Sequence, residues 1–128
     1  VVELEGMQWK GKADIVNHSE QLIIDLKTTS NINGFASSAY KFNYDSQAYI
    51  YSKMFGFDLI FIVIDKKTNQ LGLFDCSEQF LQSGQNKVAL AVQAYKDFFV
   101  NIISPKHFNL NLIILWQELE QRRVMLQV

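Results

Sequence analysis

The sequence predicts a mixed α/β (α+β) domain, with a central mixed sheet of about five strands flanked by helices. Three observations favour this class. Stretches rich in strand-forming residues fill the first third of the chain, a second pair of such stretches begins at Leu59, and the regions between and after them have helical spacing. The predicted order is three strands, a helix, two strands and two helices, which is typical of helices packed on a sheet.

The first three strands are predicted over residues 1–9, 11–16 and 21–27, with a polar turn over 17–20 between the last two. Side chains alternate between the two faces of a strand. In the third strand this alternation separates two sets of residues, Leu22, Ile24 and Leu26 on one face and Ile23, Asp25 and Lys27 on the other. We expect the first face to be core and the second to be polar.

A helical region is predicted next, broken near Asn43 and ended at Phe55 by Gly56. The apolar run 59–65 predicts a strand buried on both faces, and 70–76 predicts its hairpin partner. Ser77 is a suitable N-cap for a long helix towards Ile103, which Pro105 would end. We expect 1–128 to be a single domain, with 106–128 as a C-terminal helical extension whose apolar stripe comprises Leu112, Leu115, Trp116 and Leu119.

Composition narrows the class of protein without identifying a function. The chain has 128 residues, 48% hydrophobic and 20% charged, and no apolar run long enough to cross a bilayer. The lone cysteine, Cys76, suits a reducing cytosol and is expected to be a small core residue rather than a nucleophile. A net charge of −1 argues against nucleic-acid binding by bulk electrostatics. It is compatible with an acidic metal site, where bound cations reverse the local field.

Asp14, Asp25 and Lys27 are the candidate catalytic residues. If the strands over 11–17 and 21–27 pair as a hairpin, the two carboxylates come close together near one end of the sheet. Two carboxylates and the backbone carbonyl of Leu26 are hard oxygen donors of the kind that Mg²⁺ prefers. The ammonium of Lys27 projects on the same face as Asp25, where it can orient an attacking water and offset developing charge.

Short matches to the same spacing need a structural context before they carry weight. Asp65-Lys66-Lys67 also has an aspartate two residues before a lysine, but at a predicted hairpin tip where solvated charges are expected.

Gln47 and Tyr51 lie four residues apart and so share one helix face. Tyr51 is either a core residue with Gln47 incidental, or both residues face bound DNA or steady the active-site strands. Aromatic residues at helical spacing are more often core than base-stacking platforms; this applies to Phe35, Tyr40, Phe42, Tyr44 and Phe55.

Three segments taken together resemble a known family. They are Gly11-Lys12-Ala13-Asp14-Ile15, Asp25-Leu26-Lys27-Thr28-Thr29 and Gln47-Ala48-Tyr49-Ile50-Tyr51. The chain resembles the PD-(D/E)XK nuclease superfamily, with its restriction-endonuclease-like core, and within it the RecB-like branch. It is most similar to the RecE-type exonucleases of phages and prophages, the exodeoxyribonuclease eight group. The motifs span about residues 11 to 51.

The resemblance implies roles for individual residues. Asp14, Asp25 and the Leu26 carbonyl would bind Mg²⁺ or Mn²⁺, Lys27 would be the catalytic lysine, and Gln47, Tyr51 and Thr28 would contact DNA or support the site. It also implies digestion of double-stranded DNA from an end, with a single-strand annealing protein as partner in recombination. A homo-oligomer without a membrane partner, in the bacterial cytoplasm and encoded by a phage or prophage, is the corresponding expectation.

The chain departs from the family pattern at its start. Family members usually have a helix before the first strand that adds an acidic residue or histidine to the metal site, whereas this sequence begins almost directly in a strand. We expect that ligand to be missing or to lie upstream of Val1, with Glu3 or Glu5 as the substitutes within the chain. Two alternatives therefore stay open: a non-catalytic DNA-binding or assembly module with the nuclease fold, and a site-specific endonuclease of the same superfamily.

Overall fold

The computed structural model describes residues 1–102, with the side chains of 1–99. The strands are β1 (Val2–Leu4), β2 (Met7–Trp9), β3 (Ile15–Asn17), β4 (Leu22–Thr29), β5 (Asp58–Asp65) and β6 (Leu71–Asp75). The helices are α1 (Phe35–Lys41), α2 (Tyr44–Phe55) and α3 (Glu78–Tyr95), with a short 3₁₀ turn at Ile32–Gly34 and a π-helical segment at Lys96–Ile102. The predicted helical extension over 106–128 lies outside the described residues.

The first nine residues form a hairpin of their own rather than the single strand that was predicted. β1 and β2 pair antiparallel around a two-residue turn, in which Glu5 and Gly6 adopt φ values of 55° and 74°. Two consecutive residues in the left-handed region are typical of the tight turns whose twist matches that of a hairpin. The Trp9 indole N–H donates to the Leu4 carbonyl at 3.2 Å and ties the two strands together. The prediction of one continuous strand was wrong because it overlooked this turn.

The remaining strands form one mixed sheet in the order β3-β4-β5-β6. β4 and β5 are parallel, and the two outer pairs are antiparallel. Parallel neighbours need a crossover connection, which α1 and α2 supply. The predicted α/β class with a mixed sheet is thus confirmed within residues 1–102, but the sheet has four strands rather than five because the N-terminal hairpin stands apart from it.

The predicted interruption of the first helical region is confirmed at Asn43. This residue has φ 60° and ψ 31°, a left-handed conformation that asparagine tolerates better than most residues, and it separates α1 from α2. The predicted helix stop is confirmed as well, because Gly56 has φ 69° and its N–H donates to the Ser52 carbonyl at 2.8 Å. Ser77 caps α3 as expected, accepting a hydrogen bond from the Phe80 N–H at 3.1 Å.

The helices pack on one face of the sheet, and the core lies between them. The side chains of Ile23, Phe61 and Val63 on this face are no more than 2% exposed. The face of β4 expected to be core is therefore the wrong one: Asp25 belongs to the buried, helix-covered face, while Leu26 on the other face is 49% exposed. The alternation itself was predicted correctly.

α2 and α3 approach each other closely at Gly84. A Cβ atom at this position would overlap the backbone carbonyl of Asp45, so only glycine allows this separation. Asp45 is fully buried beside the contact; its Oδ2 lies 2.9 Å from Lys87 Nζ and accepts from Ser83 Oγ at 2.6 Å. This buried ion pair between the two helices fixes α2, and with it every side chain that α2 carries towards the sheet.

The opposite face of the sheet is lined by aliphatic side chains of all four strands. The register places Leu26, Ile62 and Leu73 side by side across the sheet. Among the described residues these side chains stay half-buried or exposed, with Leu73 at 67%. β5 is therefore covered on one face only, and the prediction that it is buried on both faces is wrong for residues 1–102. Within that range, no helix is both long enough and apolar enough to span a membrane.

Candidate active site

Asp25, Lys27 and Gln47 form a closed triangle where α2 crosses β4. Lys27 Nζ lies 2.7 Å from Asp25 Oδ2 and donates to Gln47 Oε1 at 2.9 Å, while Gln47 Nε2 donates to Asp25 Oδ1 at 3.0 Å. The period of two in β4 puts the aspartate and the lysine on one face. The amide from α2 then fixes both side chains at once. Gln47 is thus a positioning residue for the pair rather than an incidental surface side chain.

The Asp25 carboxyl is buried, with 2% of the residue exposed. Removal from water raises its pKa above the usual range, and the neighbouring Asp14 charge raises it further, whereas Lys27 and Gln47 oppose the rise. Its Oδ2 contacts Lys27 as an ion pair but accepts no hydrogen bond of suitable geometry. A buried carboxylate oxygen with unused lone pairs is an uncommon feature that suits a cation ligand.

Asp14 lies at the edge of the same site, one residue before β3. The predicted hairpin is confirmed, because β3 and β4 pair antiparallel with Ile15 opposite Ile24. Asp14 Oδ2 accepts a hydrogen bond from the Leu26 backbone N–H at 2.9 Å. This side-chain hydrogen bond continues the pairing of β3 with β4 beyond the last backbone pair. Unlike Asp25, Asp14 is exposed. The pairing brings a solvent-facing carboxylate beside a buried one.

The carbonyl of Leu26 belongs to the same edge. In a strand the N–H and C=O of one residue point to the same side, so this carbonyl points towards Asp14, as the N–H does. Two carboxylates and a carbonyl form a hard oxygen donor set that fits Mg²⁺ or Mn²⁺. Within residues 1–102 there is no cluster of three or more acidic, histidine or cysteine side chains suited to a metal. Glu3 and Glu5 therefore do not join this site.

Tyr44 is a site residue that the sequence reasoning assigned only to a general aromatic class. Lys27 Nζ lies 4.4 Å from the centroid of the Tyr44 ring, a cation–π distance. The ring and the Asp25–Gln47 pair hold the ammonium from two sides. Tyr44, Gln47 and Tyr51 follow helical spacing along α2. That stripe was the signal that would have placed Tyr44 at the site.

Tyr51 holds the segment before β3 and does not face open solvent. It is 4% exposed, and its hydroxyl donates to the Lys12 carbonyl at 3.0 Å. Gly11 lies against the ring, and a Cβ atom there would overlap Tyr51 Cε1 and lie 3.1 Å from Cζ. Tyr51 is therefore a core residue, as the first alternative had it, and its hydroxyl also holds the segment that precedes Asp14.

Thr28, Asp65 and Cys76 lie away from the chemistry. Thr28 pairs with Ile64 on the open face of the sheet, opposite to Asp25 and Lys27. Cys76 is half-buried against the core; burial, with the charges of Asp75 and Asp25, raises the pKa of its thiol to about 12, so the thiolate is not available at neutral pH.

Asp65 is not the solvated charge that its hairpin position predicted. It is 3% exposed, and its carboxylate accepts from the N–H groups of Lys67 at 2.8 Å, Thr68 at 3.1 Å and Ile32 at 2.9 Å. These hydrogen bonds, that of Lys67 first, hold the pKa of Asp65 below its usual range. Asp65 therefore ties the hairpin to the turn after β4, a structural role that accounts for its burial.

A cavity of about 700 Å³ opens beside the triangle, on the helix side of the sheet. Lys27 and Gln47 line it together with the exposed side chains of Phe42 and Leu90. Its volume lies within the range of about 300–1,000 Å³ that is usual for sites of small organic ligands. Lys27 therefore faces a space that a substrate can enter.

Comparison with known families agrees with this geometry. The model of a family described as a PDDEXK-like domain of unknown function (DUF3799) matches residues 1–109, most of the chain. A search of curated proteins found no match. The mixed sheet flanked by helices is consistent with a restriction-endonuclease-like fold. The chain belongs to this PDDEXK-like family, a member of the PD-(D/E)XK nuclease superfamily.

Proposed function

We propose that this protein is a metal-dependent deoxyribonuclease that hydrolyses phosphodiester bonds at the edge of β4. The observation that carries the proposal is the triangle of Asp25, Lys27 and Gln47 beside Asp14. A buried carboxylate beside a second carboxylate is costly for stability, even with a fixed ammonium next to it. Ionisable groups that are buried and shifted in pKa in this way are typical of functional sites.

Each residue has a distinct role in the proposed reaction. Asp14, Asp25 and the Leu26 carbonyl would hold the cation, Mg²⁺ or Mn²⁺, which would supply neutralisation of charge at the phosphoryl oxygens and activation of the attacking water. Lys27 orients the attacking water and offsets the charge that develops in the transition state. Gln47 and Tyr44 fix the Lys27 side chain, so that no reorganisation is needed during the reaction.

The finer proposal is an end-dependent exonuclease of the RecE type that acts on double-stranded DNA. Its support is the sequence resemblance of the three motif segments. A homo-oligomer, a single-strand annealing partner and a role in phage or prophage recombination in the bacterial cytoplasm belong to the same proposal. A site-specific endonuclease is the competing assignment. Linear duplex DNA and covalently closed circles distinguish the two, because an end-dependent enzyme degrades only the linear form.

The deciding experiment compares Lys27→Ala and Asp25→Asn with the matched control Lys67→Ala. Lys67 belongs to the chance Asp-x-Lys match at the β5–β6 hairpin and is exposed. We expect the first two variants to lose at least about 100-fold in the rate of linear DNA digestion with Mg²⁺ present, since each removes a group aimed at the transition state. The control should retain the wild-type rate, and a chelator should abolish it.

The stability of Asp25→Asn separates loss of chemistry from loss of fold. Burial raises the pKa of Asp25 on folding. At pH values above the usual pKa of a carboxyl group, the charged form of Asp25 therefore lowers the free energy of unfolding. The neutral amide should therefore leave the urea midpoint at neutral pH unchanged or higher. If Asp25→Asn digested DNA as fast as wild type, the proposed site would be wrong.

A non-catalytic DNA-binding or assembly module is the second candidate. The observation in its favour is that only two carboxylates, Asp14 and Asp25, come together at the site within residues 1–102. Calorimetric titration with Mn²⁺ discriminates the two functions. Binding that Asp14→Asn and Asp25→Asn each weaken favours the enzyme, while the absence of such binding favours the module.

A further inference from the structure

Phe42 is an exposed aromatic side chain on the cavity that the proposed catalytic lysine also lines. It is 59% exposed and lines the cavity into which Lys27 and Gln47 project. The sequence left five aromatic residues of this region as either core or base-stacking residues. The structure separates the other four from Phe42: Phe35 is 2% exposed and Phe55 packs against the core. Tyr44 lies against Lys27, and Tyr40 packs edge-on against Phe80.

The backbone holds Phe42 in this position. Phe42 is the C-cap of α1, and its N–H donates to the Ser38 carbonyl at 2.9 Å. Asn43 follows in the left-handed conformation and starts α2 in a new direction. The Phe42 ring is therefore carried by a short, hydrogen-bonded corner between two helices. Leu90, which is 70% exposed, lines the same cavity, so the two side chains give it an exposed apolar wall of the kind that marks a ligand contact.

The charges around the cavity indicate which part of a nucleotide fits it. Both lysines that line it are already paired with buried carboxylates, Lys27 with Asp25 at 2.7 Å and Lys87 with Asp45 at 2.9 Å. Each ammonium that lines the cavity therefore already faces a carboxylate. The other lining groups are apolar side chains and uncharged polar groups, such as the Asn43 and Gln47 amides. An uncharged, planar group with hydrogen-bonding edges matches this lining better than an anion does.

We propose that the cavity takes a nucleobase of the DNA strand next to the cleaved phosphate, stacked on the ring of Phe42. This inference rests on the proposed function, because it takes the neighbouring site to act on DNA. Stacking tolerates any base, since every base has a π-face. Lys41 Nζ lies 5.8 Å from the centroid of the Phe42 ring. Within residues 1–102 it takes part in no ion pair, so it is free to contact a phosphate of the same DNA strand.

The test measures the affinity of the full chain for a fluorescein-labelled oligothymidylate, with Ca²⁺ in place of Mg²⁺ to avoid cleavage. Phe42→Ala should weaken binding by about 5- to 150-fold, the range for loss of one stacked base. Phe42→Trp should retain the wild-type affinity, and Phe42→Leu, which is apolar but has no ring, should not. Phe98→Ala is the matched control, because Phe98 is 51% exposed and is not among the residues that line the cavity.

Oligonucleotides with a single abasic unit moved along the strand identify the stacked base. At one position the abasic unit should weaken binding of the wild type but not of Phe42→Ala. Equal affinities of wild type and Phe42→Ala would overturn the inference, and so would a wild-type chain that does not bind the oligonucleotide. The inference would also fail if Phe42→Ala lost as much affinity for a fully abasic strand as for the oligothymidylate. If DNA is not digested but binding depends on Phe42, the proposed function fails and the base site stands. If digestion depends on Lys27 but Phe42 is without effect, the reverse holds.

Discussion

Replacing Gly11 with alanine tests how the tyrosine of α2 holds the segment that carries Asp14. Gly11 is not in the left-handed region, so alanine fits the backbone and the only penalty is steric. The new Cβ would overlap Tyr51 Cε1 and lie 3.1 Å from Cζ and 3.2 Å from Cδ1. Carbon atoms prefer about 3.5–4.0 Å. Such overpacking of a buried ring costs about 1–3 kcal/mol in the free energy of unfolding.

The assay is urea or thermal unfolding of Gly11→Ala in two backgrounds, wild type and Tyr51→Leu. At about 4 °C per kcal/mol for a domain of this size, Gly11→Ala should lower the Tm of the wild type by about 4–12 °C. Leucine lacks the ring atoms that the new Cβ meets, so the same substitution should cost less than about 0.5 kcal/mol in the second background. An equal cost in both backgrounds would refute the proposed contact. Because Asp14 follows this segment, Gly11→Ala should also slow DNA digestion by about 10- to 100-fold.

Two further predictions concern buried carboxylates outside the site. At the α2–α3 interface, Lys87→Met should lower the free energy of unfolding by about 3–5 kcal/mol, because it leaves the fully buried Asp45 carboxylate without its ion pair. Asp45→Asn should cost less, because the Lys87 side chain is already 34% exposed and can turn to water. Urea titration of the two variants would contradict this if Asp45→Asn cost as much or more. Asp65, whose pKa is lowered on folding, should stabilise the protein fully above about pH 4, and this contribution should fade as the pH falls below 3.8 towards the folded pKa. The difference in unfolding free energy between wild type and Asp65→Asn, measured against pH, should therefore shrink only in acid; a constant difference would argue against the hydrogen bonds assigned to this carboxylate.

The elements that depend on local chemistry were predictable from the sequence. Asn43 and Gly56 mark the ends of helices through backbone conformations that these residue types favour. The hairpin that brings Asp14 next to Asp25 follows from a polar turn between two strand-like runs. The same kind of signal was overlooked at Glu5-Gly6, where a tight turn divides the first predicted strand.

By itself the sequence determined that Asp25 and Lys27 share one face of β4, because the pleat of a strand fixes that alternation. Which face is covered was decided by tertiary structure: α2, about twenty residues further along, packs on the carboxylate side and leaves Leu26 exposed. The hydrophobic pattern alone pointed to the opposite face as core. The helix also brings Gln47 and Tyr44 to the pair and raises the pKa of Asp25 by excluding water. The helical spacing grouped Tyr44 with Gln47, but only the packing of α2 on β4 brought both side chains to Asp25 and Lys27, because burial depends on distant segments that meet.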